Sequence, residues 1–441
     1  MAALRKALLL LAAALLVWRI AATGMAAHYA ERLKGGDREA AGKALAWSPR
    51  QPEALYRLAA DSRGQSPDAT AGDLRRAFAE NPADTRPLLA MASLTEARGE
   101  PERAEALLRA AVALAPSDPR VHKRAAAFWV ARGEVERSLR HWSRALENDP
   151  SQRKDLFPLL LKLAEDPRTR AAFKPLADEP PSWWADFFAQ VASDAQDPGS
   201  VRELYDLRRA SPQAPVSPPE RRAYVARLKK DGVVAAAYVD WINGLTREQR
   251  ARLALLYDGG FELEPGNWGF GWEFRSTPRA LVDRARSYGV DGETALHLLF
   301  DNHEGVFQAV SQSLFLDPGR FRLTGKVRTD SLQTDGGLKW VVRCLLRERA
   351  DLGESERFLG SNEWRDFAFE FEVPATCILQ EIRLISAGTR TFEHKITGGA
   401  WFDRLAIRKM AKLAAANGSH AASPSPTPSE STIAESPKKA D

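Results

Sequence analysis

Hydrophobic positions along the chain fall into three regimes. Residues 7–27 are an almost unbroken apolar run interrupted by Arg19. From there to about Asp258, apolar residues recur at the three- and four-residue spacing of amphipathic helices, and after Gly260 several stretches alternate with a period of two. The pattern predicts an N-terminal apolar helix, a helical region over 28–258 and an all-β region over 259–410.

The helical region carries a repeat. Pro82, Pro116 and Pro150 lie 34 residues apart, as do Ala77, Ala111 and Ala145, then Leu74, Leu108 and Trp142, then Gly99 and Gly133. Small residues at Ala104 and Ser138 let two helices approach, the glycines permit the turn between them, and the prolines stop the second helix. "ALAWSP" at 44–49 reads as an earlier, shortened copy. Residues 36–150 resemble tetratricopeptide repeats, whose period this is. Beyond Pro150 the period fades while helical patterning persists, so degenerate repeats are expected to carry the solenoid to Asp258. Trp183 and Trp184 are read as packing between repeats. A solenoid of this kind implies a groove for a protein partner.

In the β region, "RFRLTGKVRT" places Phe321, Leu323 and Val327 on one face and Arg322, Thr324, Lys326 and Arg328 on the other; "FAFEFEV" alternates likewise. Further strands are expected in "TALHLLF", "VFQAVSQSLFL", "GLKWVVRCLL", "CILQEIRLIS" and "WFDRLAIR", with turns at 317–319, 335–337 and 397–399. The fold class is therefore multidomain: an all-α solenoid, then an all-β antiparallel sandwich, with a jelly roll as the expected form.

"GGFELEPGNWGFGW", "TALHLLF", "VFQAVSQSLFLDPGRFRLTGKVRT", "EWRDFAFEFEVP" and "WFDRLAI" resemble the β-sandwich carbohydrate-binding modules attached to xylanases, within the galactose-binding-like superfamily. That resemblance implies a structural calcium between the opening Gly-Phe-Glu and an Asp of the closing strand, here Glu262 and Asp403; calcium takes about six to eight oxygens, and these are the two side chains to nominate. Glycan sites pair an aromatic face with planar polar groups. Trp268 and Trp272 in the opening loop, with Trp401, are the candidate aromatics, and Arg343 and Arg383 the candidate polar partners. Strand parity turns Arg343, Glu381 and Arg383 away from Trp340, which is assigned to the core together with Trp364.

Composition narrows the function. A net charge of +5 comes from 63 basic and 58 acidic residues that interleave along helix faces, which argues against nucleic acid. No phosphate loop, no nucleophile elbow and no zinc-spaced His pair occurs, and "DNHEG" at 301–305 has the composition of a hairpin loop. Cys344 and Cys377 either form one disulfide or remain two buried thiols. Residues 1–27, with Arg5 and Lys6 ahead of the apolar core, make an anchor or a signal peptide; the anchor reading puts the bulk in the periplasm. The Ser- and Pro-rich stretch 411–441 reads as a disordered tail.

The expectation is a non-enzymatic, membrane-anchored envelope scaffold: a repeat arm for a protein partner and a sandwich for glycan. The pairing is similar to accessory proteins of bacterial surface-polysaccharide synthesis or export. A carbohydrate-active hydrolase or lyase on the sandwich, and a purely structural assembly protein, are the alternatives.

Overall fold

The computed structural model describes residues 2–32, 38–60, 66–346 and 349–411. The tail lies outside the described residues from position 412 onward. The chain divides into two compact units, Met1–Ala251 with Trp268–Phe270, and Arg252–Asn267 with Gly271–Asp441.

The first unit is helical. Its first helix, Ala2–Glu31, includes the span Leu4–Glu31, which is long and apolar enough to cross a membrane. Helices then follow in pairs, among them Arg86–Ala97 with Pro101–Leu114 and Pro119–Val130 with Val135–Asn148. Many begin at a polar cap followed by proline: Ser66 accepts from the Ala69 amide, Asp118 from Arg120, and Asp197 from Gly199 and Ser200. The cap side chain satisfies an amide that lacks a helical partner, and Pro at the first position has no N–H to lose.

Between paired helices, Gly99 and Gly133 adopt φ of 74° and 76°. The amide after each glycine donates back to the previous helix, Glu100 to the Thr95 carbonyl and Glu134 to the Trp129 carbonyl, each at 3.0 Å. A Cβ at either glycine would meet nothing within 4 Å, so backbone conformation rather than space demands glycine there. The repeat positions pack as their spacing predicts. Ala77, Ala111 and Ala145 are buried, as are Leu74, Leu108, Trp142 and Ala104. Ser138 is buried too, and its hydroxyl donates to the Ala126 carbonyl at 2.7 Å.

Past residue 150 the helices Arg153–Glu165, Trp184–Asp194, Pro198–Arg209, Pro218–Lys230 and Val234–Asn243 appear where the pattern placed them. Trp183 and Trp184 are buried among Phe157, Phe173 and Phe187. The domain boundary differs from the expectation. The final short helix, Arg247–Ala251, ends the helical unit, and Arg252–Asp258 belong to the sandwich. Leu256 sits in the sandwich core, and the Gln312 side chain bonds both the amide and the carbonyl of Tyr257.

The second unit is a two-sheet antiparallel sandwich of ten strands: β1 Trp272–Phe274, β2 Ala280–Arg286, β3 Thr294–His303, β4 Val310–Leu314, β5 Gly319–Gln333, β6 Leu338–Cys344, β7 Asp351–Glu354, β8 Gly360–Val373, β9 Gln380–Ser386 and β10 Ile396–Lys409. One sheet has the order β1-β4-β9-β6-β7 and the other β2-β3-β10-β5-β8. Inward aromatics fill the space between them. Trp340 lies 5.9 Å from Trp272 and 5.4 Å from Phe402, and Phe321 stacks on Phe371. Trp340 is core, as strand parity requires.

Three local readings are corrected. Residues 397–399 are not a turn but lie within β10, where the register shifts between Ile396 and Gly398 and Gly398 takes φ of 91°. Trp364 is not core. Phe367, Phe369 and Phe371 point inward, so the even position 364 faces out, and its indole N–H donates to the Tyr288 carbonyl. Trp272 is not an exposed aromatic; it is buried against Phe261 and Trp340, and its indole N–H donates to the Asp258 carbonyl. Cys344 and Cys377 are bonded, with Cα atoms 5.8 Å apart, which resolves the open alternative in favour of the disulfide.

Candidate functional site

The outward face of the β1-β4-β9-β6-β7 sheet collects planar polar groups. Inward Ile382 and Leu384 on β9 leave Glu381 and Arg383 pointing out, and the same alternation on β6 turns out Lys339 and Arg343. Register places Arg343 opposite Glu381, and Arg383 between Val341 of β6 and Ser311 of β4. The structure thus brings Arg343 and Arg383 onto one face.

The Arg383 guanidinium is held on two sides. Nη1 donates to Gln308 Oε1 at 2.9 Å and Nη2 to Glu381 Oε1 at 2.8 Å, while Nε lies 2.8 Å from Glu381 Oε2 as an ion-pair contact. Arg343 pairs with Asp351 at 3.1 Å, and Lys339 with Glu354. Beside Arg383 opens a cleft of about 310 Å³ lined by Glu273, His303, Gln308, Ser311 and Glu381. His303 Nε2 is buried without a hydrogen-bond partner among the described residues, and burial lowers its pKa below the ordinary imidazole value, against a hydrogen bond at Gly305 that raises it.

Guanidinium, carboxylate and amide together offer donors and acceptors of the kind that hydroxyl groups pair with. None of the residues lining the cleft is Trp or Tyr. Glu381 is engaged by Arg383.

Trp268 and Trp272 do not join this face. Trp268 clusters with the helical unit near Gly244, and Trp272 is core. Trp401 is half-buried on the other sheet, stacked 4.0 Å from the His297 ring with the Arg328 guanidinium 4.8 Å from its own. His303 ends β3 in a stretch whose composition is that of a loop, and nothing in the local sequence marks Glu273 or Gln308. Their shared position depends on β1 and β4 pairing, which no local pattern announces.

Glu262 and Asp403 do approach one another. A Cβ on Gly260 would lie 3.7 Å from Glu262 Cγ and 3.9 Å from Asp403 Oδ1. Asp403 is wholly buried and accepts from the Asp291 and Arg404 amides; Glu262 Oε1 accepts from the Glu293 amide. Burial, opposed by those amides, and the negative charges of Asp291 and Glu262 together raise the Asp403 pKa. The sign of this cluster suits a cation. Among the described residues, however, no group of three or more His, Cys, Asp or Glu is placed to hold a metal, so most of a calcium shell would have to come from backbone carbonyls.

In the helical unit, two pockets open among successive helices. One, of about 350 Å³, has Met91, Leu94 and Leu107 within a rim of Arg75, Arg98 and Arg103. The next, of about 270 Å³, sets Phe128 and Trp129 among Arg109, Arg137 and Arg140. Each pocket thus sets apolar side chains among arginines.

A tetratricopeptide-repeat family model matches residues 65–153. No curated protein matches the chain. Among solved structures the chain is similar to one described as "CBM4 structure and function", at 13% identity over 35% of this chain and 99% of that one, with a TM-score of 0.26. It is similar also to the CBM22-1 xylan-binding domain from Paenibacillus barcinonensis, at 15% identity over 36% of this chain and 97% of that one, TM-score 0.26. A third similarity is to MamA, at 19% identity over 26% of this chain and 69% of that one, TM-score 0.23. The chain therefore carries tetratricopeptide repeats in its helical region, followed by a two-sheet antiparallel β-sandwich.

Proposed function

We propose that this protein is a non-enzymatic, membrane-anchored envelope scaffold in which the helical repeats hold a protein partner and the sandwich binds glycan on the outward face of β9. The observation that carries the glycan reading is the Arg383, Glu381 and Gln308 network beside an open cleft. The disulfide and the apolar N-terminal helix support a location outside the cytosol. Service to surface-polysaccharide synthesis or export is part of this proposal. A glycan array probed with the purified chain and with Arg383→Ala tests it: binding that the substitution removes supports the reading, and absence of binding overturns it.

Glu262 and Asp403 are proposed as the two side-chain ligands of a structural calcium. What supports this is a buried carboxylate whose charged neighbours are acidic. Thermal melts with calcium and with chelator decide it. A rise in midpoint that Asp403→Asn abolishes supports the ion, and identical melts remove it from the account.

A further inference from the structure

The opposite sheet carries a second polar feature that the β9 face does not explain. Phe321, Leu323 and Val327 point inward from β5, so Arg320, Arg322, Thr324, Lys326 and Arg328 all point out. The ends of this basic row are occupied. Arg320 pairs with Glu370 at 3.0 Å, and Arg328 lies over the Tyr288 and Trp401 rings at 4.6 and 4.8 Å. Arg322 and Lys326, between them, carry no ion pair among the described residues, and neither does Arg408 of β10.

Register sets Arg322 directly opposite Arg408, with Thr324 between Ala406 and Ala368. The register of β10 shifts between Asp403 and Ala406, and Arg404, at φ 54°, emerges at the same trough. Small residues on three adjacent strands thus floor a trough of about 480 Å³ lined by Arg322, Lys326, Arg408 and Arg404, the last paired with Asp291 at 3.1 Å, with Asp366 as the one carboxylate in its lining. Arg322 faces Arg408 on one side and Glu370 of β8 on the other, and Glu370 itself pairs with Arg320; an anion between Arg322 and Arg408 would add to what Glu370 supplies against the repulsion of the facing arginines.

We propose that this trough binds an acidic polysaccharide, a glycan bearing carboxylates, independently of the cleft beside Arg383. It rests on the glycan reading only for the class of ligand. From Arg322 to Lys326 the trough runs about 13 Å at the rise of a strand, which suits a short oligosaccharide. Guanidinium groups take a carboxylate through paired hydrogen bonds, while Thr324 and Asp366 serve hydroxyls. A nucleic acid fits less well. Bases find no open ring to stack on, because Trp401 already lies between His297 and Arg328.

The test uses the full chain in detergent, with polygalacturonate as probe, xylan as the neutral control and single-stranded DNA as the alternative polyanion. The wild type binds polygalacturonate, binding weakens as salt rises from about 50 to about 500 mM, and Arg322→Gln with Arg408→Gln weakens it at least tenfold while the thermal midpoint does not fall. Arg383→Ala leaves it intact. Failure of the wild type to bind, unchanged affinity in the double variant, or equal affinity for DNA overturns the proposal. If no neutral glycan binds the β9 face while polygalacturonate binding still depends on Arg322 and Arg408, the trough stands and the function proposed for β9 falls.

Discussion

Arg208 and Glu220 are both almost wholly buried in the helical unit, and Nε of the one lies 2.8 Å from Oε1 of the other. The guanidinium also donates to the carbonyls of Ala177, Ala214 and Pro215, while Glu220 accepts from the Trp184 indole and the Ser217 amide. Removing one partner of such a pair strands a buried charge, at a cost of about 3–5 kcal/mol. Glu220→Ala is expected to lower the urea midpoint of the helical transition by a corresponding amount, read by circular dichroism. Adding Arg208→Met should recover part of the loss; no recovery would show that the carboxylate matters through its cap of the helix Pro218–Lys230 instead.

The Cys344–Cys377 bridge closes a loop across 33 positions, and chain entropy puts its contribution at about 4 kcal/mol. Mass spectrometry of the non-reduced protein should find the two peptides linked. Reduction, or Cys377→Ala, should lower the melting midpoint of the sandwich and leave the helical transition in place.

Stability against pH should run in opposite senses for two groups of carboxylates. Burial by itself would raise Glu53, but hydrogen bonds and attraction from Arg86 and Arg57 win and hold it below the ordinary value. A depressed carboxyl contributes stability that is present above its unfolded value of 4.5 and lost as pH falls through its folded one. Arg86→Gln should therefore cost most near pH 7 and progressively less toward pH 3, measured by urea unfolding. Without calcium, Asp403 has the reverse sign: its raised pKa favours the fold below 3.8, and that contribution is lost as pH rises through the folded value.

The repeat groove predicts its own partner chemistry. Arg98 pairs with Asp68, a fully accessible carboxylate that a ligand carboxylate can displace. Arg98→Glu together with Arg103→Glu should weaken capture of a peptide bearing Leu or Met anchors and acidic flanks at least tenfold, read by fluorescence anisotropy, while a basic peptide of the same length should gain. Equal binding of both peptides to wild type and variant would remove the cationic rim from recognition.

The repeat array was legible because its determinants are local. Gly99 and Gly133 are required by backbone conformation, and Ala104 and Ser138 by helix approach, so both recur at fixed spacing. β5 and β8 were legible for the same reason, since inward Phe and Leu alternate with charge. β7, "DLGE", has no alternation to read, and β1 and β2 lie in loop-like sequence. Trp272 looked like a loop aromatic because nothing local reports that Phe261 and Trp340 close over it. Of the polar site, Arg343 and Arg383 followed from parity. The cleft beside them depends on Glu273, His303 and Gln308, which come from separate parts of the chain and meet through strand order.

The central claim is that the β9 face holds glycan through the Arg383 and Glu381 pair. Isothermal titration of the full chain with the best polysaccharide from an array, against Arg383→Ala, tests it most directly. The account predicts measurable binding by the wild type and at least a tenfold loss in the variant with the melting midpoint preserved. Binding that is unchanged in Arg383→Ala would contradict it.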